Sequence, residues 1–250
     1  MAYTSDRDIE FLGELNSKDL NDLVYCLTHD KDGQVRFTEE LTTNSKYKEH
    51  HPNHSMYWTE IAAEIQCFGA NSIATLFRQG KGIPYKEVLT DVCDNLKVNY
   101  NKDSSVQTIE DNLLMKIVKD AIDKMSVEEI KELAESIGVK QLVISKEFML
   151  GTFQAIFRAG GFKSYQLTAI IVNAILKALI GRGLSFAASG TLMRTMSILT
   201  GPIGWAVAGT WTAIDIASPA YRVTIPAVIQ VAFLRKQHLY SDAAQQVNFT

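Results

Sequence analysis

The sequence predicts an all-α protein, a multi-helix bundle with a small acidic helical front module and a glycine-rich, apolar helical back half. Apolar residues recur at spacings of three and four along most of the front, and no segment alternates with period two over any length. Around Val143 the composition changes. The stretch from Leu167 to Leu234 carries few charges, which are Lys177, Arg182, Arg194, Asp215 and Arg222.

Amphipathic helices are predicted near the N-terminus. Their apolar positions recur at helical spacing, at Ile9, Leu12, Leu15, Leu20, Leu23, Val24 and Leu27. Asn16 or Ser17 is expected to cap the second helix, because either side chain can accept a hydrogen bond from the first turn. Another helix begins beside Pro52 and places five residues on one face, at Trp58, Ile61, Ala62, Ile65 and Phe68.

Three more helices are predicted in the middle of the chain. One follows Pro84 and aligns Val88, Leu89, Val92 and Leu96. The next has the clearest apolar stripe, formed by Leu113, Leu114, Ile117, Val118, Ala121, Ile122 and Met125. Ser126 and Glu129 then have the spacing of a capping box, and Gly138 is expected at the C′ position of the helix that they start.

Composition and charge divide the chain into residues 1–43, a small helical front segment; 44–140, an acidic helical domain; and 141–250, a basic, apolar, glycine-rich helical region. Residues 1–150 hold 26 acidic and 17 basic side chains, a net charge of −9, whereas residues 151–250 hold 2 acidic and 8 basic ones, a net charge of +6. Such asymmetry indicates an anionic partner. The basic residues are dispersed among aliphatic ones, which favours an anionic membrane surface over nucleic acid.

Cysteine usage and the N-terminus indicate the compartment. Cys26, Cys67 and Cys93 are odd in number and scattered, so they form neither a disulfide framework nor a CxxC site. The N-terminus is acidic and lacks the apolar region of a signal peptide. We therefore expect a cytoplasmic protein that attaches peripherally or conditionally to the inner membrane.

Three stretches resemble one known family. DRDIEFLGELNSKDLNDLVYCLTHDKDG, FGANSIATLFRQGKGIPYKEVLTDVCDNLKVNY and AYRVTIPAVIQVAFLRK are similar to the bacterial YaaW family of uncharacterised proteins. The resemblance spans nearly the whole chain. Part of that family is labelled as similar to the ubiquinol–cytochrome c chaperone domain, an all-α module tied to assembly of a membrane complex. The resemblance implies a non-enzymatic role and supplies no catalytic residues.

A partial calcium-loop pattern spans Thr28–Glu39. Three carboxylates and one glycine fall at the third, fifth, sixth and twelfth positions of this pattern, as Asp30, Asp32, Gly33 and Glu39. Thr28 stands where the leading aspartate is expected, and Arg36 adds positive charge at the ninth position. We expect a polar turn between helices, with the three carboxylates as candidates for a calcium ion.

A histidine-rich segment precedes the Trp58 helix. His50 and His54 are four residues apart and are candidates for a transition metal, but Pro52 lies between them and disfavours one continuous helix. We expect a helix-entry segment with exposed imidazoles. Glu60 and Glu64 are expected on the exposed side of the helix that follows. The chain contains no HExxH, Walker or GxSxG motif, so neither an enzyme nor a cofactor is predicted.

The stretch GPIGWAVAGTWTAIDIASPAYRVTIPAVIQVAFLR raises the question of core or membrane. Three apolar segments are candidates for spanning, namely Leu167–Ile180, Thr195–Ile214 and Val223–Leu234, with 14, 20 and 12 residues. A spanning helix needs about 20 apolar residues. Lys177 interrupts the first segment, Pro226 interrupts the third, and a turn is expected at Gly201–Pro202 in the second. Permanent spanning is therefore not favoured.

Two interpretations of the back half stay open. Its helices either form the core of a bundle, or they are held in a bundle and released to a membrane through Leu167–Ile180 and Ile198–Ile216. Contacts would then come from small residues for packing, aromatic residues at the interface and cations at headgroups. The candidates are Gly204, Gly209, Trp205, Trp211, Tyr221, Lys177, Arg182, Arg194 and Arg222.

The predicted function is that of a non-enzymatic cytoplasmic helical protein. Its apolar C-terminal helices would engage a membrane or a membrane-protein client, under the control of the acidic N-terminal module. The alternative is a soluble chaperone or adaptor that holds a partner helix in an apolar groove without membrane contact.

Overall fold

The described part of the chain is built from helices, which confirms the predicted fold class. In the computed structural model the described residues are 2–36, 40–68, 82–139, 144–185, 194, 197–204 and 220–247. They contain nine α-helices: α1 Ser17–Thr28, α2 Ser45–His50, α3 Trp58–Phe68, α4 Tyr85–Asn95, α5 Val106–Ile122, α6 Val127–Ser136, α7 Lys146–Ala159, α8 Gly161–Ile180 and α9 Tyr221–Val247. Residues 197–204 are helical, and three short 3-10 helices lie at Glu10–Glu14, Leu41–Thr43 and His54–Tyr57. No β-strand occurs in these ranges.

Side-chain caps set several helix ends where the sequence predicts them. The Asn16 side chain accepts hydrogen bonds from two backbone N–H groups in the first turn of α1. Ser126 and Glu129 form the reciprocal capping box at the start of α6. Gly138 follows α6 with a φ angle of 79°, the left-handed conformation that favours glycine at C′. These boundaries arise from interactions within a few residues.

The central helix of the bundle is α9. It packs most extensively on α8 and also contacts α1, α3, α4 and α5. Residues 223–234 are buried at every position. A helix that is covered on all sides needs no polar face, so its sequence loses the amphipathic periodicity of the front helices.

The second buried helix is α8. Residues 167–176 are buried at every position, and Lys177 is exposed near the end of the helix. The apolar segment Leu167–Ile180 therefore packs against α9 inside the bundle. Among the helices in the described ranges, none combines the length and the apolarity that crossing a bilayer requires.

The turn expected at Gly201–Pro202 is wrong, because residues 197–204 are helical across it. Pro226 likewise lies inside α9. A proline removes one backbone hydrogen bond and kinks a helix without necessarily ending it. In α9 the packing on five neighbouring helices maintains the helical conformation on both sides of the proline.

Buried apolar side chains from the three predicted segments form one continuous cluster. Leu20 from residues 1–43, Leu113 from 44–140 and Val228 from 141–250 all belong to it. The division into three parts stays a prediction based on composition. All three parts contribute side chains to the same hydrophobic core.

The capping box of α6 gives a first testable prediction. Replacing Ser126→Ala removes the acceptor for the Glu129 N–H and should lower the free energy of unfolding by about 1 kcal/mol. Urea denaturation followed by circular dichroism measures this change. Ser45→Ala, at an exposed first position of α2, is the matched control. Equal effects of the two substitutions would contradict the capping interpretation.

Candidate functional site

The predicted contact residues surround the segment that joins α8 to α9. Gly204 lies in the helical stretch 197–204, whereas Trp205, Gly209 and Trp211 lie outside the described residues. Lys177 and Arg194 are exposed. Two short segments border the stretch from 186 to 219, and both are described: residues 181–185, which follow α8, and residues 220–222, where α9 begins. These two segments are called the flanks below.

Asp22 of α1 holds the flank that follows α8. The Arg182 Nη2 donates to Asp22 Oδ1 at 3.0 Å, and the Ser185 hydroxyl donates to the same oxygen at 2.6 Å. The backbone N–H of Ser185 donates to Asp22 Oδ2 at 2.7 Å. The Arg182 guanidinium also lies 4.4 Å from the centroid of the Tyr25 ring, a cation–π distance. One carboxylate thus fixes the chain immediately before residue 186.

Two glycines allow this flank to approach its neighbours closely. Gly181 has a φ of 68°, and a Cβ there would lie 2.8 Å from the carbonyl oxygen of Lys31. A Cβ at Gly183 would lie 2.3 Å from Asn173 Oδ1. That oxygen accepts a hydrogen bond from the Leu184 N–H at 3.1 Å. A side chain at Gly181 would therefore push the flank away from the turn that follows α1, and one at Gly183 would push it away from Asn173 of α8.

Asp91 of α4 and Arg36 hold the flank at the start of α9. The Tyr221 hydroxyl donates to Asp91 Oδ2 at 3.0 Å, and Arg36 Nη2 donates to the Arg222 carbonyl oxygen at 3.4 Å. Arg36 is positioned by its Nε, which donates to the His29 carbonyl oxygen at 2.8 Å. Burial, together with the charge of Asp91, raises the pKa of Tyr221. Residues of the front thus contact both flanks of the stretch from 186 to 219.

A buried ion pair anchors the middle of α9. Arg235 Nε donates to Glu110 Oε2 at 2.8 Å and Arg235 Nη2 donates to Glu110 Oε1 at 3.2 Å. The Tyr85 hydroxyl donates to Glu110 Oε1 at 2.9 Å, and Arg235 Nη2 also donates to the Asp8 carbonyl oxygen at 2.6 Å. The guanidinium lies 4.6 Å from the Phe11 ring centroid. This network joins α9 to α5, α4 and the N-terminal segment.

The two charges of this pair depend on each other. Burial raises the pKa of Glu110 and outweighs the opposing effect of Arg235. Burial lowers the pKa of Arg235, but the charge and hydrogen bonds of Glu110 outweigh it and raise the pKa of the guanidinium. Removing either partner would leave the other charge buried without a counter-charge, which is strongly unfavourable.

Further polar contacts follow the ion pair along α9. Lys236 Nζ donates to Asp111 Oδ2 at 3.0 Å, and Gln237 Nε2 donates to Asp19 Oδ1 at 2.7 Å. Burial raises the pKa of Asp111 against the opposing charge of Lys236. Together with Arg182 and Arg235, Lys236 places three basic residues of the back half on acidic residues of the front. Part of the positive charge of the back half is therefore neutralised by acidic residues of the front within the same chain.

Sequence reasoning missed these ion pairs. The available signal was a pair of adjacent acids, Glu110 and Asp111, within the apolar pattern of α5, and a pair of adjacent bases, Arg235 and Lys236, at the end of an apolar run. Charged residues at positions that the pattern assigns to a core need partners of opposite charge. The pattern does not say which acidic pair meets which basic pair, because the contacts join residues more than 100 positions apart.

The described part of the calcium-candidate loop, residues 28–36, contains a polar turn. Asp30 Oδ1 accepts hydrogen bonds from the backbone N–H groups of Asp32 and Gln34, each at 2.9 Å. These bonds, that from Gln34 foremost, lower the pKa of Asp30. Asp32 is exposed, and Glu39 lies outside the described residues. Within the described ranges, no group of three or more His, Cys, Asp or Glu side chains is placed to hold a metal ion.

The expectation of exposed imidazoles is wrong for His54, whose side chain is buried. Its Nδ1 lies 2.5 Å from the Tyr57 hydroxyl and its Nε2 lies 3.3 Å from Asn21 Oδ1. The other transition-metal candidate, His50, has its Nε2 3.8 Å from Glu49. Burial, with a smaller contribution from His51, lowers the pKa of His54 to about 4. The short 3-10 turn before α3 directs this ring into the space beside α1, which the spacing of histidines does not predict.

The expectation for Glu64 is also wrong, because this residue is buried. Its Oε1 accepts a hydrogen bond from the backbone N–H of Glu40 at 3.1 Å. Glu60 is partly buried and pairs with Lys46, with 2.6 Å between Nζ and Oε1. The segment around Leu41–Thr43 packs over this side of α3, so the helix has no wide solvent-facing side here.

The cysteines are free thiols with raised pKa values. Burial raises the pKa of Cys93 to about 12 and that of Cys67 to about 11. Cys26 is fully buried, and burial raises its pKa as well. Thiols with such values stay protonated at neutral pH and are poor nucleophiles.

Comparisons with known proteins confirm the resemblance found in the sequence. The model of the ubiquinol-cytochrome C chaperone family matches residues 53–230, and a domain of unknown function (DUF3944) matches residues 3–37. A UPF0174 protein from Helicobacter pylori strain J99 is 49% identical over 94% of this chain and 93% of its own length. The UPF0174 protein YaaW from Escherichia coli K12 is 32% identical over 94% of this chain and 95% of its own length. No solved structure matches the chain.

The buried ion pair gives a second prediction. Arg235→Met should lower the free energy of unfolding by about 3–5 kcal/mol, because the Glu110 carboxylate keeps its burial and loses its counter-charge. Urea denaturation measures the change, with Arg7→Met at an exposed position as the control. Adding Glu110→Leu to Arg235→Met should recover part of the loss, since the orphaned charge is then removed. A loss no larger than that of the control would contradict the assigned role.

The lowered pKa of His54 gives a third prediction. Its folded-state pKa of about 4 lies below the ordinary value of 6.5, so the unfolded chain binds the proton more tightly. The contribution of His54 to stability is therefore fully present above pH 6.5 and is lost as the pH falls towards 4, by about 2–3 kcal/mol. Urea denaturation across this pH range measures the loss. His54→Gln should reduce this pH dependence, whereas the control His50→Gln should retain it. An unchanged dependence in His54→Gln would refute the assignment.

Proposed function

The chain belongs to the UPF0174 family of uncharacterised bacterial proteins, and from this premise we propose that it is a non-enzymatic, chaperone-like cytoplasmic protein. Its apolar C-terminal region engages a membrane or a membrane-protein client, and its acidic N-terminal part regulates that engagement. The observation that carries the proposal is the set of hydrogen bonds that Asp22 accepts from Arg182 and Ser185.

The chemistry of the region between the flanks supports engagement with an apolar partner. From Leu184 to Tyr221 the only charged residues are Arg194 and Asp215, and the segment includes two tryptophans. Such composition suits contact with lipid or with the apolar helix of another protein. The family model that matches most of the chain is named for a chaperone, and binding another protein is what a chaperone does.

The contacts at the two flanks support regulation. Asp22 and Asp91 lie on α1 and α4, and they bind the chain on either side of the apolar stretch. An anionic surface competes with Asp22 for Arg182, because both offer oxygen acceptors to the same guanidinium. Each such hydrogen bond contributes about 1–3 kcal/mol when one partner is charged. A partner that provides equivalent contacts can therefore release the flank without unfolding the core.

A second candidate function is that of a soluble adaptor that binds a partner helix without lipid. The observation that favours it is the burial of residues 167–176 of α8 and 223–234 of α9, which the rest of the bundle already covers. Under this alternative the protein forms a defined complex with its client in lipid-free buffer, and anionic lipid has no effect on it.

A charge reversal at Asp22 gives a fourth prediction, which tests the proposal. Asp22→Lys removes the acceptor for Arg182 and Ser185 and should raise the fraction of protein bound to anionic vesicles by about tenfold, a change of about 1.4 kcal/mol. Liposome flotation with phosphatidylglycerol-containing vesicles at physiological salt measures this fraction. Asp103→Lys, at an exposed position after α4, makes the same change of charge and is the control.

The control separates release of the flank from simple electrostatic attraction. Both variants gain the same positive charge, so an equal increase in vesicle binding would contradict regulation by Asp22. Circular dichroism of both variants checks that the core helices remain folded.

A further inference from the structure

An aromatic surface lies where α8 begins and α9 approaches its end. Phe162 and Leu239 expose 49% and 44% of their surfaces. The centroid of the Tyr240 ring lies 5.2 Å from that of Phe162 and 5.5 Å from that of Tyr165, on which it stacks. Phe162, Tyr165, Leu239 and Tyr240 are called the α8–α9 patch below. None of these residues is among those that the sequence pattern singled out.

The α8–α9 patch rests on the most buried part of the fold. The Tyr165 ring stacks on Phe233, with centroids 5.8 Å apart, and Phe233 is a buried residue of α9. The rings therefore rest on the two helices that make the most extensive contact in the described part of the chain. Phe162 and Leu239 are already exposed there, so a partner can reach them without a rearrangement of these helices.

Exposed cations lie next to the patch in sequence. Arg158 is in the last turn of α7 and Lys163 is in the first turn of α8, and both are exposed. Neither makes an ion pair with an acid in the described part of the chain. Burial, with a smaller contribution from the charge of Asp19, raises the pKa of Tyr165, and Asp19 Oδ1 accepts a hydrogen bond from the Gln237 amide. Two exposed cations thus flank Phe162, the first residue of the patch, along the chain.

The joint between α7 and α8 leaves this surface open. Gly160 and Gly161 both have φ angles of 65°, and a Cβ at either position would meet no atom within 4 Å. Side chains of the described residues therefore do not cover these two positions, and Gly161 at the start of α8 is exposed.

We propose that the α8–α9 patch binds the surface of an anionic bilayer. Phe162 and Leu239 enter the boundary between headgroups and acyl chains, the two tyrosines lie at the headgroup level, and Arg158 and Lys163 contact lipid phosphates. Aromatic rings flanked by cations are the composition of interfacial membrane contacts. Charge complementarity favours an anionic surface, because anionic lipid headgroups attract exposed basic residues.

This inference rests on the proposed membrane engagement and names its lipid partner and its docking site. The patch lies outside the stretch from 186 to 219, so the docking site and the flank that Asp22 holds are separate parts of the protein. Docking places the protein on the bilayer, where the anionic headgroups then compete with Asp22 and release the flank.

Vesicle flotation of the full chain tests the patch. Phe162→Ser with Leu239→Ser should lower binding to vesicles that contain phosphatidylglycerol by about tenfold, since two exposed apolar groups lose their transfer into lipid. Met56→Ser with Val127→Ser changes two side chains that are 56% and 59% exposed elsewhere, and it should leave binding unchanged. Thermal unfolding of all variants checks that the fold is retained.

A double substitution of the two basic residues tests the contribution of charge. Arg158→Gln with Lys163→Gln should lower binding to anionic vesicles by about tenfold. The same change should leave binding to pure phosphatidylcholine vesicles unaltered. Lys48→Gln with Lys102→Gln, at exposed positions, is the control and should have no effect.

The outcomes separate this inference from the proposed function. If the patch variants bind anionic vesicles as well as their controls do, or if the wild-type chain binds no vesicles, the patch proposal is overturned. If the patch variants lose binding while Asp22→Lys gains none, the patch stands and regulation by Asp22 fails. If Asp22→Lys gains binding and the patch variants keep theirs, regulation stands and the patch fails.

Discussion

The ion pair between Arg235 and Glu110 is the contact on which the arrangement of the other helices depends. It lies between α9 and α5, and the same guanidinium reaches the Asp8 carbonyl oxygen in the N-terminal segment. A buried charge is strongly unfavourable without its counter-charge. The ion pair therefore restricts α9 to the one register against α5 that places Arg235 opposite Glu110. With α9 fixed, α8 and α1 pack along its sides and the apolar core closes around it.

Ion pairs within the chain also account for part of the charge asymmetry that the sequence assigns to an anionic partner. The acidic front and the basic back bind each other through Asp22, Glu110 and Asp111, so part of the positive charge is already neutralised inside the protein. The contacts differ in depth. The Glu110 side chain is 2% exposed, whereas the Arg182 side chain at the flank is 36% exposed. Under the proposed function, an anionic partner competes for the more exposed Arg182 at the flank, while the buried ion pair between Arg235 and Glu110 stays intact.

Local patterns in the sequence predict much of the front and little of the site. Caps at Asn16 and Ser126 and the stripe on α5 depend on residues within one or two turns, and these predictions are confirmed. His54 and Glu64 are buried by segments that fold over them from elsewhere in the chain. Their local sequence does not show those segments, so the prediction that they are exposed is wrong. In residues 167–176 of α8 and 223–234 of α9, every position is buried, so the sequence lacks the helical periodicity from which packing partners are usually inferred. The α8–α9 patch also escaped prediction, because it joins residues far apart in the chain.

The most direct test of the account is hydrogen–deuterium exchange of the wild-type chain with and without anionic vesicles. The Ser185 N–H donates a hydrogen bond to Asp22, so we expect it to exchange faster when the protein binds lipid. Backbone amides near Phe162 should become slower to exchange at the same time, and those around Glu110 should not change. Vesicle-bound protein in which Ser185 keeps its protection would contradict the proposal that lipid binding releases the apolar region.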